Sequence, residues 1–273
     1  MNAKQRVIVV TGGGSGIGRG TAKVFAAAGD TIVIADVNEP GGNAVVAEIR
    51  RLGGRAEYRH VDVAVDASVE ELAQGVEAQI GPADVLVNSA GILQNASEIE
   101  TMPIAEHDRV MAINYRGTYL CCRAFAPRMA RRGSGCVVNI SSTSAVHAMP
   151  LLAYGSSKAA VQMLTTNLAV EFGPRNVRIN AIMPGYVLTE QMQARIDAGK
   201  RDPRSLALHS ALGRMVTPAD VGNAAFFLCS EAASCITGIS LPVDAGYLGA
   251  VSYLHHPGLR GVLPHRADKG PVF

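Results

Sequence analysis

Tyr154 and Lys158 stand four residues apart. On a helix that spacing puts a phenol and an ammonium on one face, a single turn apart, which makes them a proton-transfer pair. The spacing is common on helices, so the pair gains meaning only from its surroundings. Upstream, the short apolar run Val137-Val138-Asn139-Ile140 ends in two hydroxyls, Ser141 and Ser142. Near the start of the chain, an apolar run over residues 6–10 leads straight into Thr11-Gly12-Gly13-Gly14-Ser15-Gly16-Ile17-Gly18.

The glycine run suits a buried strand that must turn sharply into a helix while its backbone approaches a pyrophosphate, because glycine has no Cβ to intervene. The start of the following helix offers free N–H groups and the positive end of its dipole to the phosphates. Ile17, Thr21, Val24, Phe25 and Ala28 then recur at helical spacing, and Gly29-Asp30 closes the segment. A second apolar run, residues 31–35, ends at Asp36, 18 residues past Gly18. Strand, loop, helix, strand and acid in this order form a dinucleotide-site pattern, with the carboxylate suited to ribose hydroxyls.

The elements that must carry these residues alternate along the chain. Strands are predicted over 6–10, 31–35, 56–60, 85–88, 136–140, 177–182 and 239–243, and helices over 41–52, 67–80, 104–131, 153–172 and 218–228. Such alternation predicts an α/β fold, a Rossmann-type doubly wound parallel sheet of seven strands in a single domain. Pro242 cannot donate to a ladder, which sends the last strand to the sheet edge. Ser68 with Glu71 has capping-box spacing, and Thr217-Pro218 reads as an N-cap followed by proline at the first helical position.

Composition agrees with one large core: 273 residues, 48% hydrophobic, formal charge +2. The near balance of charge offers no basic face for nucleic acid. No apolar run approaches a membrane span of about 18 residues, and the chain enters its first strand without a signal-peptide pattern, so a cytoplasmic protein is expected. The five cysteines make no CxxC pair and read as core thiols, and the seven histidines are too scattered to suggest a metal set.

Taken together, the glycine loop, Asp62-Val63, Asn88-Ser89-Ala90-Gly91, Asn114, Ser142, Tyr154 with Lys158, and Pro184-Gly185 resemble the short-chain dehydrogenase/reductase family, in its order, over roughly residues 6–249. The resemblance implies an NAD-dependent oxidoreductase that interconverts a secondary alcohol and a ketone. In it Tyr154 is the acid/base, Ser142 steadies the substrate oxygen, and Asn114 holds a water linking Lys158 to solvent. Lys158 holds the nicotinamide ribose, and its charge favours the phenolate of a group whose ordinary pKa is about 10. The cofactor residues implied are Gly12, Gly14, Ser15, Gly16, Ile17, Gly18, Asp36, Val37, Asp62, Val63, Asn88, Ala90, Gly91, Tyr154, Lys158, Pro184, Gly185, Val187 and Thr189. Asn180 reads as structural. One departure concerns the serine: Ser142 precedes Tyr154 by 12 residues and Ser141 by 13, and the family commonly shows the longer count. The strand running to Ile140 leaves no room for a gap before Ser142, which favours Ser142 and a loop shorter by one residue.

Substrate contacts are expected from Gln94, Ser144, His147 and Tyr186, with Leu93 and Met192 near them, a mixed set that suits a small polyol, sugar, hydroxy acid or cyclic alcohol. The charge-mixed stretch over residues 190–204 reads as a solvated lid. Two other readings stay open: a 3-oxoacyl-carrier-protein reductase, and a non-catalytic dinucleotide-binding regulator. After a domain of residues 1–250, the segment 251–273 carries Pro257, Pro264 and Pro271, which predicts irregular structure. Its apolar residues suggest an arm over the substrate cleft of its own subunit or a neighbour's in a homotetramer.

Overall fold

The computed structural model describes residues 5–254. Seven strands form one parallel sheet: β1 (Val7–Thr11), β2 (Thr31–Asp36), β3 (Arg55–His60), β4 (Val85–Asn88), β5 (Gly135–Ile140), β6 (Val177–Pro184) and β7 (Ser240–Val243), in the order β3-β2-β1-β4-β5-β6-β7. Register follows the alternation of side chains. Ile8 and Val10 face one core with Ile32, Ile34, Val85 and Val87, whereas Val9, Val33, Leu86 and Val137 face the other. Both faces are covered, which is why these strands are apolar on both sides. Helices α1 (Gly16–Ala27), α2 (Glu39–Arg51) and α9 (Pro218–Leu228) supply Phe25, Val45, Ile49, Val221 and Leu228 to the first core. The second is closed by α3 (Asp66–Gln79), α5 (Gly117–Arg132) and α6 (Leu152–Phe172) through Leu72, Val76, Phe125 and Phe172. Among the described residues Pro242 lies on the edge strand, paired with β6.

Several local expectations are corrected. The helix expected over 104–131 is α4 (Ile104–Met111), a π turn (Ala112–Arg116) and α5, so the ladder widens around Asn114. Asn114 tethers its side chain to Ile92, and this tertiary pull explains a break that helical periodicity does not reveal. Ser68 caps nothing: α3 begins earlier, at Asp66, and the Ser68 hydroxyl instead accepts from the amide of Asp62. Thr217 does form its capping box, with Asp220. The stretch expected as a solvated lid, 190–204, holds α7 (Glu190–Asp197) and the start of α8 (Pro203–Leu208). Helix also crosses residue 250: α10 (Tyr247–Leu254) starts where Asp244 accepts from the amides of Gly246 and Leu248, and no proline interrupts it. The remainder of the expected arm, residues 255–273, lies outside the described residues. Four cysteines are buried, but Cys235 is exposed, a correction to the expectation of core thiols throughout.

Strand order reverses between β1 and β4, the point where parallel sheets open a crevice at their carboxyl ends. There the Thr11 hydroxyl accepts from the amides of Ser89 and Ala90 at 3.2 and 3.3 Å, locking the two strand ends together.

Candidate active site

A cavity of about 910 Å³ fills this crevice, bordered by the glycine loop, the ends of β2 and β4, the start of α6 and the lid. On one side the backbone leaves room that side chains would fill. A Cβ on Gly12, at φ +64°, would meet the Ala90 backbone at 2.7 Å, and one on Gly18 would lie 2.1 Å from the Gly12 carbonyl oxygen. Asp36 ends β2 facing the same space, its Oδ2 accepting from Gly14 N and its Oδ1 from Asn38 N, both at 2.8 Å. A loop kept clear of side chains, a helix start and an oriented carboxylate together fit a dinucleotide. The helix start is not bare: Glu190 at the head of α7 accepts from Gly16 N at 3.0 Å and pairs with Arg19. Burial raises the Glu190 carboxyl, and the amide bonds and Arg19 outweigh it, holding the group below the ordinary carboxylate range.

Tyr154 and Lys158 occupy the first turns of α6, as their spacing requires. Lys158 is 5% exposed, its Nζ 5.7 Å from the Tyr154 ring centroid and donating to the Ile140 carbonyl at 2.8 Å. Burial pulls its ammonium down to about 8. Tyr154 moves the other way: burial raises the phenol, and a hydrogen bond with the Ser142 hydroxyl opposes the rise without cancelling it. The expected lowering by the neighbouring cation is therefore not the dominant influence; burial is. Ser142 lies at the end of β5, exchanging hydrogen bonds with Ser144. Ser141 turns away to donate to the Lys158 carbonyl at 3.0 Å. Thus Ser142, not Ser141, is the hydroxyl that meets the phenol.

Most of the expected cofactor positions border this cavity: Gly12, Ser15, Gly16, Ile17, Gly18, Asp36, Val37, Asp62, Val63, Ala90, Gly91, Pro184, Gly185, Val187 and Thr189. Two do not. Gly14 sits behind the wall with its amide committed to Asp36. Asn88 is drawn into the core, donating to Asn139 Oδ1 at 2.8 Å and to Cys122 Sγ, because a polar side chain on a fully covered strand must find polar partners. Thr189 lines the cavity while its hydroxyl caps α7. Asn180 bonds the Ile236 carbonyl and the Ile239 amide, a structural role as expected.

Asn114 is fully buried, and its Oδ1 and the Lys158 Nζ both flank Gly91, 3.3 and 3.5 Å from where a Cβ there would lie. Both of its amide hydrogens are taken, by the Ile92 carbonyl and the Ser157 hydroxyl, leaving its side chain no N–H for a water. Of the expected substrate contacts, Ser144 and Tyr186 line the cavity. His147 lies behind the wall, edge-on to Tyr247 with ring centroids 5.6 Å apart. Gln94 reaches the wall, but its carbonyl is used by α6, accepting from the amides of Ala153 and Tyr154. Tyr247, Met149 and Leu206 line the cavity and were not anticipated; an aromatic directly after the Asp244-Ala245-Gly246 turn was the available signal for Tyr247.

The family model described as enoyl-(acyl carrier protein) reductase matches residues 12–248. Cyclopentanol dehydrogenase of Comamonas sp. (strain NCIMB 9872) is 37% identical over 243 residues, 89% of this chain and 96% of that one. The chain belongs to the short-chain dehydrogenase/reductase family. Among solved structures, 7 alpha-hydroxysteroid dehydrogenase complexed with NADH and 7-oxo glycochenodeoxycholic acid matches at TM-score 0.82 and 34% identity, covering 88% of this chain and 93% of that one. A crystal structure of ribose-5-phosphate isomerase from Brucella melitensis 16M matches at TM-score 0.86 and 42% identity, covering 92% and 96%.

Proposed function

We propose that the protein is an NAD-dependent dehydrogenase interconverting a cyclic secondary alcohol and its ketone. One observation carries the reading: Tyr154, Ser142 and Lys158 border the same cavity as the glycine loop and Asp36, so a proton-transfer group and a dinucleotide cradle share one space. The similarity to cyclopentanol dehydrogenase and to a hydroxysteroid dehydrogenase complexed with NADH supports both the cofactor and a ring alcohol. The substrate side, with Tyr186, Tyr247, Met149, Leu151 and Leu206, offers apolar surface with a few hydroxyls, which suits a ring bearing one hydroxyl. The isomerase resemblance is weighed down by this same cradle: isomerising a sugar phosphate calls for no dinucleotide.

NAD, when bound, supplies the hydride acceptor for the alcohol carbon. Gly12, Ile17, Asp36, Val63 and Gly91 would hold it, with Lys158 toward the ribose. Ser142 hydrogen-bonds the substrate oxygen and stabilises charge developing there. Tyr154 takes the hydroxyl proton during oxidation and returns it to the carbonyl oxygen during reduction. Burial favours the neutral phenol of Tyr154, the form that gives up a proton in reduction. Oxidation calls for phenolate, which the buried charge of Lys158 favours by through-space attraction.

We further propose a cytoplasmic homotetramer. Met163 and Val170 on α6, exposed at 62% and 74%, together with Tyr119 on α5, give apolar surface on the long helices. All five cysteines are free thiols, as suits a reducing compartment. The test of function is a screen of cyclic alcohols, polyols, sugars and hydroxy acids with NAD, read at the nicotinamide absorbance. Turnover confined to a 3-oxoacyl thioester with NADPH would support the acyl-carrier-protein reductase reading instead. No turnover with any alcohol or ketone would sink the proposal.

A further inference from the structure

Helix α6 begins without a cap of its own. Leu151, at its N-cap, has no side-chain acceptor, and the first amides of any helix need partners outside it. Two of them are satisfied from the loop after β4: Gln94 Oε1 accepts from Ala153 N at 2.7 Å and from Tyr154 N at 2.8 Å. Gln94 is 2% exposed, and its Nε2 donates to the Asn95 carbonyl, so the amide group is held at both ends. The loop that carries it is itself pinned. Asn114 bonds both the amide and the carbonyl of Ile92, and Glu106 accepts from Asn95 N.

We propose that Gln94 is a positioning residue of the active site: its side-chain carbonyl replaces the missing cap of α6 and sets the place of Tyr154 relative to Ser142. This rests on Tyr154 being the proton-transfer group. The bond is to the backbone amide of Tyr154 itself, so a shift of Gln94 moves the phenol directly. Ser142 follows β5, two residues past its end, and the seating of α6 brings the two hydroxyls together. Gln94 also lies three residues beyond Gly91, which borders the dinucleotide cradle, so one short loop spans from cofactor wall to acid/base helix. A displacement of about 1 Å at a reacting group can cost about a hundredfold in rate.

Two variants separate positioning from other roles. Gln94→Leu keeps the volume and removes the acceptor. Gln94→Glu keeps an acceptor for both amides and suits the helix N-terminus, but it sets a carboxylate oxygen against the Asn95 carbonyl in place of the Nε2 donor; ionised, it adds a negative charge near the phenol, which disfavours phenolate. Lys158 on the same helix, Glu106 beside Asn95, and Asp36, Asp62, Glu190, Arg195 and Arg201 around the cavity stay unchanged. The expectation for Gln94→Leu is a kcat for alcohol oxidation lowered about tenfold or more, with the KM for NAD within about twofold of the parent. Gln94→Glu should melt below the parent, because the Asn95 carbonyl loses its donor, yet approach the parent kcat at alkaline pH, its acid limb displaced to higher pH. A Gln94→Leu protein that melts earlier yet keeps kcat would reduce the bond to a structural cap and overturn the proposal. So would a raised KM for the alcohol alone, which would make Gln94 a substrate contact. If Gln94→Leu does not fold, Gln94→Glu decides: a folded Gln94→Glu protein that keeps both acceptors yet stays far below the parent kcat at alkaline pH refutes the proposal. Tyr154→Phe is run alongside: retained activity there would defeat the acid/base reading itself, independently of Gln94.

Discussion

The Lys158 ammonium donates to the main-chain carbonyl of Ile140 at 2.8 Å, tying the first turns of α6 to the strand end that carries Ser142. Burial holds this ammonium near 8 against an ordinary 10.5. Between those values the unfolded chain binds more protons at this site than the folded one, so its contribution to stability rises with pH across that window and is least below it. Melting temperatures of the parent and Lys158→Met, compared from pH 7 to 10.5, should show the difference moving in the parent's favour. A flat difference would mean that the buried charge is compensated.

Tyr154→Phe removes one hydroxyl and keeps the ring. Turnover should fall by about 10²–10⁴ while NAD binding and melting change little. Because burial raises the phenol, kcat/KM for oxidation should climb with pH in the parent and lose that climb in the variant. Stopped activity assays across pH 6–10 read both outcomes.

Ser142→Ala should cost about 10²–10³ in kcat, the usual loss for a donor aimed at developing charge. Ser141→Ala, whose hydroxyl serves the Lys158 carbonyl, should cost less than about tenfold. The opposite ranking would transfer the role to Ser141.

Asp36 should enforce preference for NAD over NADP. Its carboxylate is held by the amides of Gly14 and Asn38, and it would repel a 2′-phosphate. Asp36→Ala should weaken NAD by about ten- to a hundredfold, the worth of hydrogen bonds to a charged group. Adding Val37→Arg should shift preference to NADP. Titration of each cofactor by nicotinamide fluorescence checks the ranking, and unchanged selectivity in the double variant would remove Asp36 from the discriminating role.

Two glycines should respond in opposite directions to alanine. At Gly18 the new Cβ would lie 2.1 Å from the Gly12 carbonyl oxygen, an overpacking that costs about 1–3 kcal/mol or more. At Gly75, inside α3, it would meet nothing within 4 Å, so alanine should add about 0.5–1 kcal/mol through helix propensity. Urea denaturation measures both, and Gly75→Ala should leave activity intact.

Much of the molecule was legible locally. Short unbroken apolar runs, the helical stripe after Ile17, the glycine loop and the pairing of Thr217 with Pro218 each depend on neighbours within a few residues, so type and spacing suffice. Pro242 announced an edge strand because a missing N–H acts wherever the residue goes. The Tyr154 and Lys158 spacing survived for the same reason, since one helical turn is a local distance.

What tertiary structure alone decided concerns polar groups whose partners lie far along the chain. A buried amide must be satisfied, and sequence does not say by which side chain. Gln94, expected at the substrate, is taken by the unsatisfied amides of α6, and Asn88, expected at the cofactor, by Asn139 in the core. The π turn at Asn114 and the retreat of His147 behind Tyr247 follow likewise from how separate elements pack. Local pattern determined which elements form and which residues can do chemistry; packing between elements determined which of those residues face the cavity, because each polar side chain goes to the partner that leaves the fewest buried groups unpaired.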